Sequence, residues 1–289
     1  KWMDDQIKAD RAAGNTGKAH VVYTLPVVVH VIHNGSAVGA SYNLSDAQIL
    51  SQIAVLNEDY RKLNADAALV PAVWQGVAVD CEINFCLAQK DPNGAATTGI
   101  DRINRNTKGW TAPPYSQTYV DATIKPNSIW NVNKYLNIWV CPLSGGLLGY
   151  ATFPPSSTLS GLTSPYGTTT TDGVVIQYNA FGRVGVLDAT YNKGRSATHE
   201  IGHWLGLRHI WGDANCGNDY CTDTPTQQTS NFGCPNFPQV TCSNGPNGDM
   251  WMNYMDYTDD ACMYMFTSGQ KARSLALFAT GGARVNFAK

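Results

Sequence analysis

The chain has 289 residues, enough for one large domain or two small ones. With 43% hydrophobic and 15% charged residues it can bury a substantial core, which excludes global disorder. A net charge of −2, with no basic run interleaved with aromatics, sets aside nucleic acid as a partner. No apolar stretch approaches the ~20 residues needed to span a bilayer.

Residues 1–20 are polar and read as a lead-in to a single domain over 21–289. Residues 21–33 are rich in β-branched side chains and read as a buried strand. Pro26 lacks an N–H and points to a strand start or a sheet edge. His30 and His33 read as structural. Ser45 has the chemistry of an N-cap for a helix to about Asn64. Ile49, Ile53, Leu56, Tyr60 and Leu63 recur every three or four residues as one apolar face. Glu58, Asp59, Arg61 and Lys62 then form a solvated side, and the helix backs a sheet. Residues 81–87 alternate as a strand does, and Asp91-Pro92-Asn93-Gly94 makes a turn. Weak periodicity over 92–130 predicts long irregular connections. Strands are expected at 135–143, 147–153 and 173–178, with a Ser/Thr/Gly loop over 156–172. The order of strand, helix, strands, helix suits an α+β sheet with its helices on one side.

The next stretch carries chemistry. His199-Glu200-Ile201-Gly202-His203-Trp204-Leu205-Gly206-Leu207-Arg208-His209 fits H-E-x-x-H-x-x-G-x-x-H. On a helix, His199 and His203 lie one turn apart on the same face and can hold one zinc ion. Gly206, free of a Cβ penalty at positive φ, lets the chain turn so that His209 arrives as a third ligand. Three protein ligands leave a fourth position for water, the layout of a catalytic zinc site. Glu200 can reach that water as general base and later acid.

Beyond Gly206 the composition changes. Residues 212–249 are dense in Gly, Asn, Asp, Pro and Cys, so cross-links must hold them. Five of the eight cysteines fall between Cys216 and Cys262. Without paired C-x-x-C knuckles, disulfides in an oxidising compartment fit better than a structural zinc. Thr267 and Ser268 cap a final helix with Ala272, Leu275, Ala276 and Phe278 facing inward. Two lobes are expected, the upper about 21–206 and the lower about 207–289, with the cleft between them. A start at Lys1, without signal peptide or Met, suggests a processed secreted chain.

The eleven-residue motif resembles that of the metzincin zinc peptidases, and Asn253-Tyr254-Met255-Asp256-Tyr257 resembles their methionine turn. Within that clan the chain is similar to the pappalysin family. Asp223-Thr224-Pro225, Phe232-Gly233-Cys234-Pro235, the run from Asn253 to Cys262 and Phe266-Thr267-Ser268-Gly269-Gln270 carry the likeness, with 25–31 and Leu148-Gly149-Tyr150-Ala151 upstream. The resemblance implies a twisted mixed sheet with a backing helix and an active-site helix above the cleft. It also implies an irregular disulfide-rich lower lobe ending in a helix.

As site residues it implies Met255 as an apolar floor under the histidines and Tyr257 as a phenol steadying the oxyanion. Asp260 would lie at the base of the pocket for the side chain after the cut bond, favouring Arg or Lys. Leu148 and Gly149 would sit on an edge strand that takes substrate as an added strand. A structural calcium is implied in the lower lobe, with Asp219, Thr222 and Thr224 as candidate ligands. The family pattern suggests the bridges Cys234–Cys262 and Cys216–Cys242. Cys86 and Cys141, both in expected strands, are a further candidate pair. The family's blocking pro-segment cysteine has no counterpart before Cys81.

The expected function is a secreted, monomeric zinc endopeptidase acting on proteins or peptides. Two rivals stand beside it. A zinc amidase or deacetylase would need neither the methionine turn nor the edge strand. A non-catalytic zinc-stabilised binding module would not need Glu200 and Tyr257.

Overall fold

The computed structural model describes residues 21–155 and 159–288; the lead-in over 1–20 lies outside them. Among the described residues six strands form one sheet. They are β1 (Tyr23–His33), β2 (Ile83–Leu87), β3 (Ile100–Asn104), β4 (Leu136–Cys141), β5 (Gly149–Ala151) and β6 (Val174–Gln177). The order is β2-β1-β4-β6-β5, with β3 also on β1. All pairs are parallel except β5 on β6.

β1 is central, which corrects the placement of Pro26 at a strand start or sheet edge. Its missing N–H is tolerated for a local reason. Tyr23 donates to Glu82 and Val27 accepts from Ala88, so odd-numbered residues bond toward β2. Pro26 therefore faces the other side, where pairing with β4 starts only at Val27. β3 falls in the stretch expected to be irregular. Only Ile103 of its five residues is buried, so no alternating pattern marked it.

Three longer helices accompany the sheet: α1 (Asp46–Tyr60), between β1 and β2, and α2 (Arg195–Trp204) and α3 (Ser268–Leu275), after β6. The Ser45 hydroxyl accepts from the Gln48 N–H and starts α1. Ile49, Ile53, Leu56 and Tyr60 of α1 share one core with Val27, Val29, Ile138 and Val174 of the sheet and Ile201 and Trp204 of α2. Both helices thus cover one sheet face. The opposite face, with Ile32, Trp139 and Val175, is covered by Trp110 and by consecutive helical turns over 117–127 that carry Val120 and Ile124. This corrects both the irregular reading of this stretch and the placement of all helices on one side of the sheet. Two expectations for the first helix fail. Leu63 lies past its end and is 71% exposed, whereas Asp59, expected on the solvated side, is 3% exposed.

A separate cluster joins Trp211, Met250, Trp251 and Met265 to Val70, Trp74 and Ala78. The lower part of the molecule therefore recruits an upstream segment as well as residues after 207. On α3 the capping box of Thr267 and Gln270 is complete. Arg273 and Ser274 are buried on this helix, with Ala276 and Phe278 just past it, while Ala272 and Leu275 are only partly covered. No described helix is long and apolar enough to cross a membrane.

Cys216–Cys242 and Cys234–Cys262 are bridged. Cys86 and Cys141 are not, and the sheet explains why. β1 separates their strands; Cys86 sits beside Pro26, and Cys141 lies one residue past the Val31–Val140 pair. That places them ~20 Å apart along the strands, far beyond disulfide reach. Removing the Cys216–Cys242 bridge by double Ser substitution should cost ~3.5 kcal/mol, the chain-entropy value for cysteines 26 residues apart. Urea unfolding of variant and parent checks this; an unchanged midpoint would show that packing alone holds the segment.

Candidate active site

α2 ends as the sequence suggests. Gly206 has φ +82°, its N–H bonds the His203 carbonyl, and the Leu207 N–H bonds the Gly202 carbonyl. This pair of bonds is a Schellman turn, and it reverses the chain toward His209. The three imidazoles converge. His203 Nε2 lies 3.1 Å from His199 Nε2 and 3.0 Å from His209 Nε2.

Each ring is oriented from its other nitrogen. His199 Nδ1 meets the Tyr254 carbonyl at 2.7 Å and His203 Nδ1 the Leu207 carbonyl at 2.8 Å. His209 Nδ1 meets the Asp213 carboxylate. With acceptors at every Nδ1, the protons sit there and three Nε2 lone pairs face one another. Lone pairs cannot bond to each other; a cation between them resolves the repulsion. Tetrahedral zinc would hold such nitrogens about 3.3 Å apart, so the triad fits zinc. Burial and the neighbouring imidazoles push His199 down to about 3 and lower His203 as well, keeping both in the neutral, ligating form.

Glu200 is buried beside the triad, and burial pushes its carboxyl up to about 8. Its side chain packs on Gly149 of β5, where a Cβ would come within 2.8 Å of Glu200 Cγ. Only a residue without a side chain leaves that space. The Leu148 carbonyl accepts from the Gln177 N–H just ahead of β5, so Leu148 leads into the edge strand that Gly149 begins.

Met255 is fully buried and its sulfur lies against Gly202 in α2, where a Cβ would collide with it. The Met255 carbonyl also accepts from the Ile210 N–H, next to the third histidine. The Tyr257 ring lies 4.8 Å from His209 and 5.5 Å from His199, and is 39% exposed. Burial, then Glu200, push its phenol up to about 12, so it stays a donor. Trp211 stacks on His209 at 4.3 Å and meets Tyr257 edge-on.

A cavity of about 280 Å³ opens beside Glu200, lined by Gly149, Tyr191, Phe232, Tyr257 and Asp260 among others. Asp260 is 1% exposed, and its Oδ2 accepts from the Lys193 and Arg195 N–H groups at the start of α2. Burial pushes it up to about 6. The calcium candidates lie elsewhere. Both Asp219 oxygens meet Thr224 Oγ1 at 2.9 Å, and Thr224 also reaches the Cys221 carbonyl. Thr222 is exposed and joins none of these bonds.

Sequence reasoning missed Asp213, Trp211, Tyr191 and Phe232. Asp213 lies four residues after His209, a spacing that could have flagged it. Tyr191 and Phe232 reach the cavity only through folding.

The family model described as peptidase M43, pregnancy-associated plasma protein-A, matches residues 118–279. An extracellular metalloprotease of Pyricularia oryzae is 34% identical over 276 residues, covering 94% of this chain and 81% of that protein. One of Colletotrichum graminicola is 34% identical over 91% of this chain and 79% of its own. Mature mirolysin of Tannerella forsythia, solved with a cleaved peptide, superposes with a TM-score of 0.80 at 47% identity, covering 92% of this chain and 95% of that one. With its histidine triad and methionine turn, the chain belongs to the M43 family, the pappalysin branch of the metzincin metalloendopeptidases.

Proposed function

We propose that this is a secreted, monomeric zinc endopeptidase, one catalytic domain over 21–289, which cuts proteins or peptides before Arg or Lys. The carrying observation is the convergence of three Nε2 atoms beside the buried Glu200. The cleaved peptide bound to mirolysin supports a peptide substrate. Two disulfides and relatives named extracellular support secretion.

His199, His203 and His209 would hold the zinc, which when bound supplies Lewis acidity to a carbonyl and brings the pKa of a coordinated water to about 7. Glu200 takes the proton of the attacking water and passes it to the departing amine. The Tyr257 phenol donates to the carbonyl oxygen as it gains charge. Leu148 and Gly149 offer backbone groups to an extended substrate. For calcium, Asp219, Thr224 and the Cys221 carbonyl supply a partial oxygen set that suits a hard cation, and Thr222 stands outside it.

Asp260 binds the basic side chain after the cut. One oxygen is held by backbone N–H groups, and no described residue donates to Oδ1. Cleavage of a mixed peptide library, with and without a zinc chelator, tests the whole reading. Chelator-sensitive cuts before Arg or Lys are expected. Asp260→Ala should weaken that preference at least ~30-fold, the cost of unpairing a buried charge. Parent-like cleavage profiles in the variant would remove Asp260 from the pocket; zinc-loaded protein that makes no cuts would end the peptidase reading.

A further inference from the structure

Asp59 is the charged group whose burial the sequence least suggests. It stands near the end of α1, a helix that contributes no zinc ligand, yet it is 3% exposed. Its two oxygens accept two hydroxyls from distant parts of the chain. Thr198 Oγ1 donates to Oδ2 at 2.8 Å, and Tyr254 Oη donates to Oδ1 at 2.8 Å. Thr198 immediately precedes His199 on α2. Tyr254 supplies the carbonyl that meets His199 Nδ1 at 2.7 Å. One carboxylate therefore grips both the helix that carries the ligand and the residue that orients its ring.

The neighbouring residues leave Asp59 to this task. Arg195 lies 3.6 Å from Asp59, but its forked bonds of 2.6 and 2.7 Å go to Asp66. Tyr60, next to Asp59, donates its hydroxyl to the Thr198 carbonyl at 3.0 Å, a third link at the same point. The Tyr254 ring is also buried against Phe266 at 4.8 Å, so its phenol has one direction in which to reach.

We infer that Asp59 is a positioning residue for zinc binding: through Thr198 and Tyr254 it sets the distance between α2 and the methionine turn, and so aims the His199 imidazole at the metal. This rests on the zinc reading above. Groups that orient a metal-bound histidine from outside the ligand set commonly change affinity about 10–100-fold when lost. A carboxylate that only stabilised the core would change stability and leave affinity alone.

The test is zinc affinity of the purified enzyme, by competition with a chromogenic chelator, with the thermal midpoint recorded in parallel. Tyr254→Phe keeps the ring and the main-chain carbonyl and removes only the hydroxyl. Thr198→Val does the same for the other arm. Each should weaken zinc about 10-fold, and Asp59→Asn, which can accept at one oxygen only, about 10–100-fold. Combining Asp59→Asn with Tyr254→Phe should weaken it by less than the product of the single effects, because both cut one link. Parent-like zinc affinity in Tyr254→Phe and Thr198→Val overturns the inference whatever happens to stability. These two variants decide the matter if Asp59→Asn does not fold. A parent that binds no zinc would instead remove the metal reading itself.

Discussion

Glu200→Gln should lower kcat by about 10²–10⁴-fold, a loss of about 3–5 kcal/mol of transition-state stabilisation, with zinc content and fold unchanged. Gln has nearly the shape of Glu, and the space left by the missing Cβ of Gly149 accommodates either side chain. What Gln lacks is a basic oxygen. Burial pushes the Glu200 carboxyl up to about 8, which makes its carboxylate oxygen more basic than that of an exposed glutamate. Glu200 is not a member of the histidine triad, so metal content should survive the change. The measurement is steady-state turnover of a peptide by parent and variant, with zinc quantified in both. Equal zinc and near-parent kcat would show that another group carries the proton.

Arg284→Met should destabilise the folded chain by about 3–5 kcal/mol, the cost of leaving one member of a buried ion pair alone. The guanidinium makes a forked pair with Asp172, at 2.6 and 2.9 Å, and both side chains are almost fully buried. It also lies 3.7 Å above the Trp204 ring and donates to the Trp204 carbonyl. The Trp204 indole N–H reaches the same Asp172 at 3.1 Å. The C-terminal segment is thereby clasped to the last residue of the ligand-bearing helix and to the loop before β6. Met fills similar volume but strands the Asp172 charge in a dry site. Adding Asp172→Asn should recover part of the loss, because no unpaired charge then remains. Urea denaturation of both single variants and the double variant tests this; a cost below ~1 kcal/mol for Arg284→Met would place the pair with weak surface bridges.

The zinc triad was legible because its determinants are local. Spacing of four places His199 and His203 on one helix face, and Gly206 turns the chain for His209. The start of α1 at Ser45 and of α3 at Thr267 was legible for the same reason, since a cap acts within three residues. β3 was not, because four of its five residues stay partly exposed and break the alternation. The expected Cys86–Cys141 bridge failed because strand membership says nothing about strand order. Asp59 looked like surface charge because its partners, Thr198 and Tyr254, lie 139 and 195 residues away.

By itself the sequence determined the histidine triad, the turn that completes it, the caps of α1 and α3 and the family likeness. These follow from short-range periodicity and side-chain chemistry, which act over one or two turns of chain. Only the tertiary structure decided that β1 is central, that Val70, Trp74 and Ala78 join the lower core, and that Asp59, Asp213 and Arg284 pair with Thr198, His209 and Asp172. Apart from Asp213 with His209, those partnerships pair groups far apart in the chain. Burial and charge select them once the chain has closed, and no local pattern records the choice.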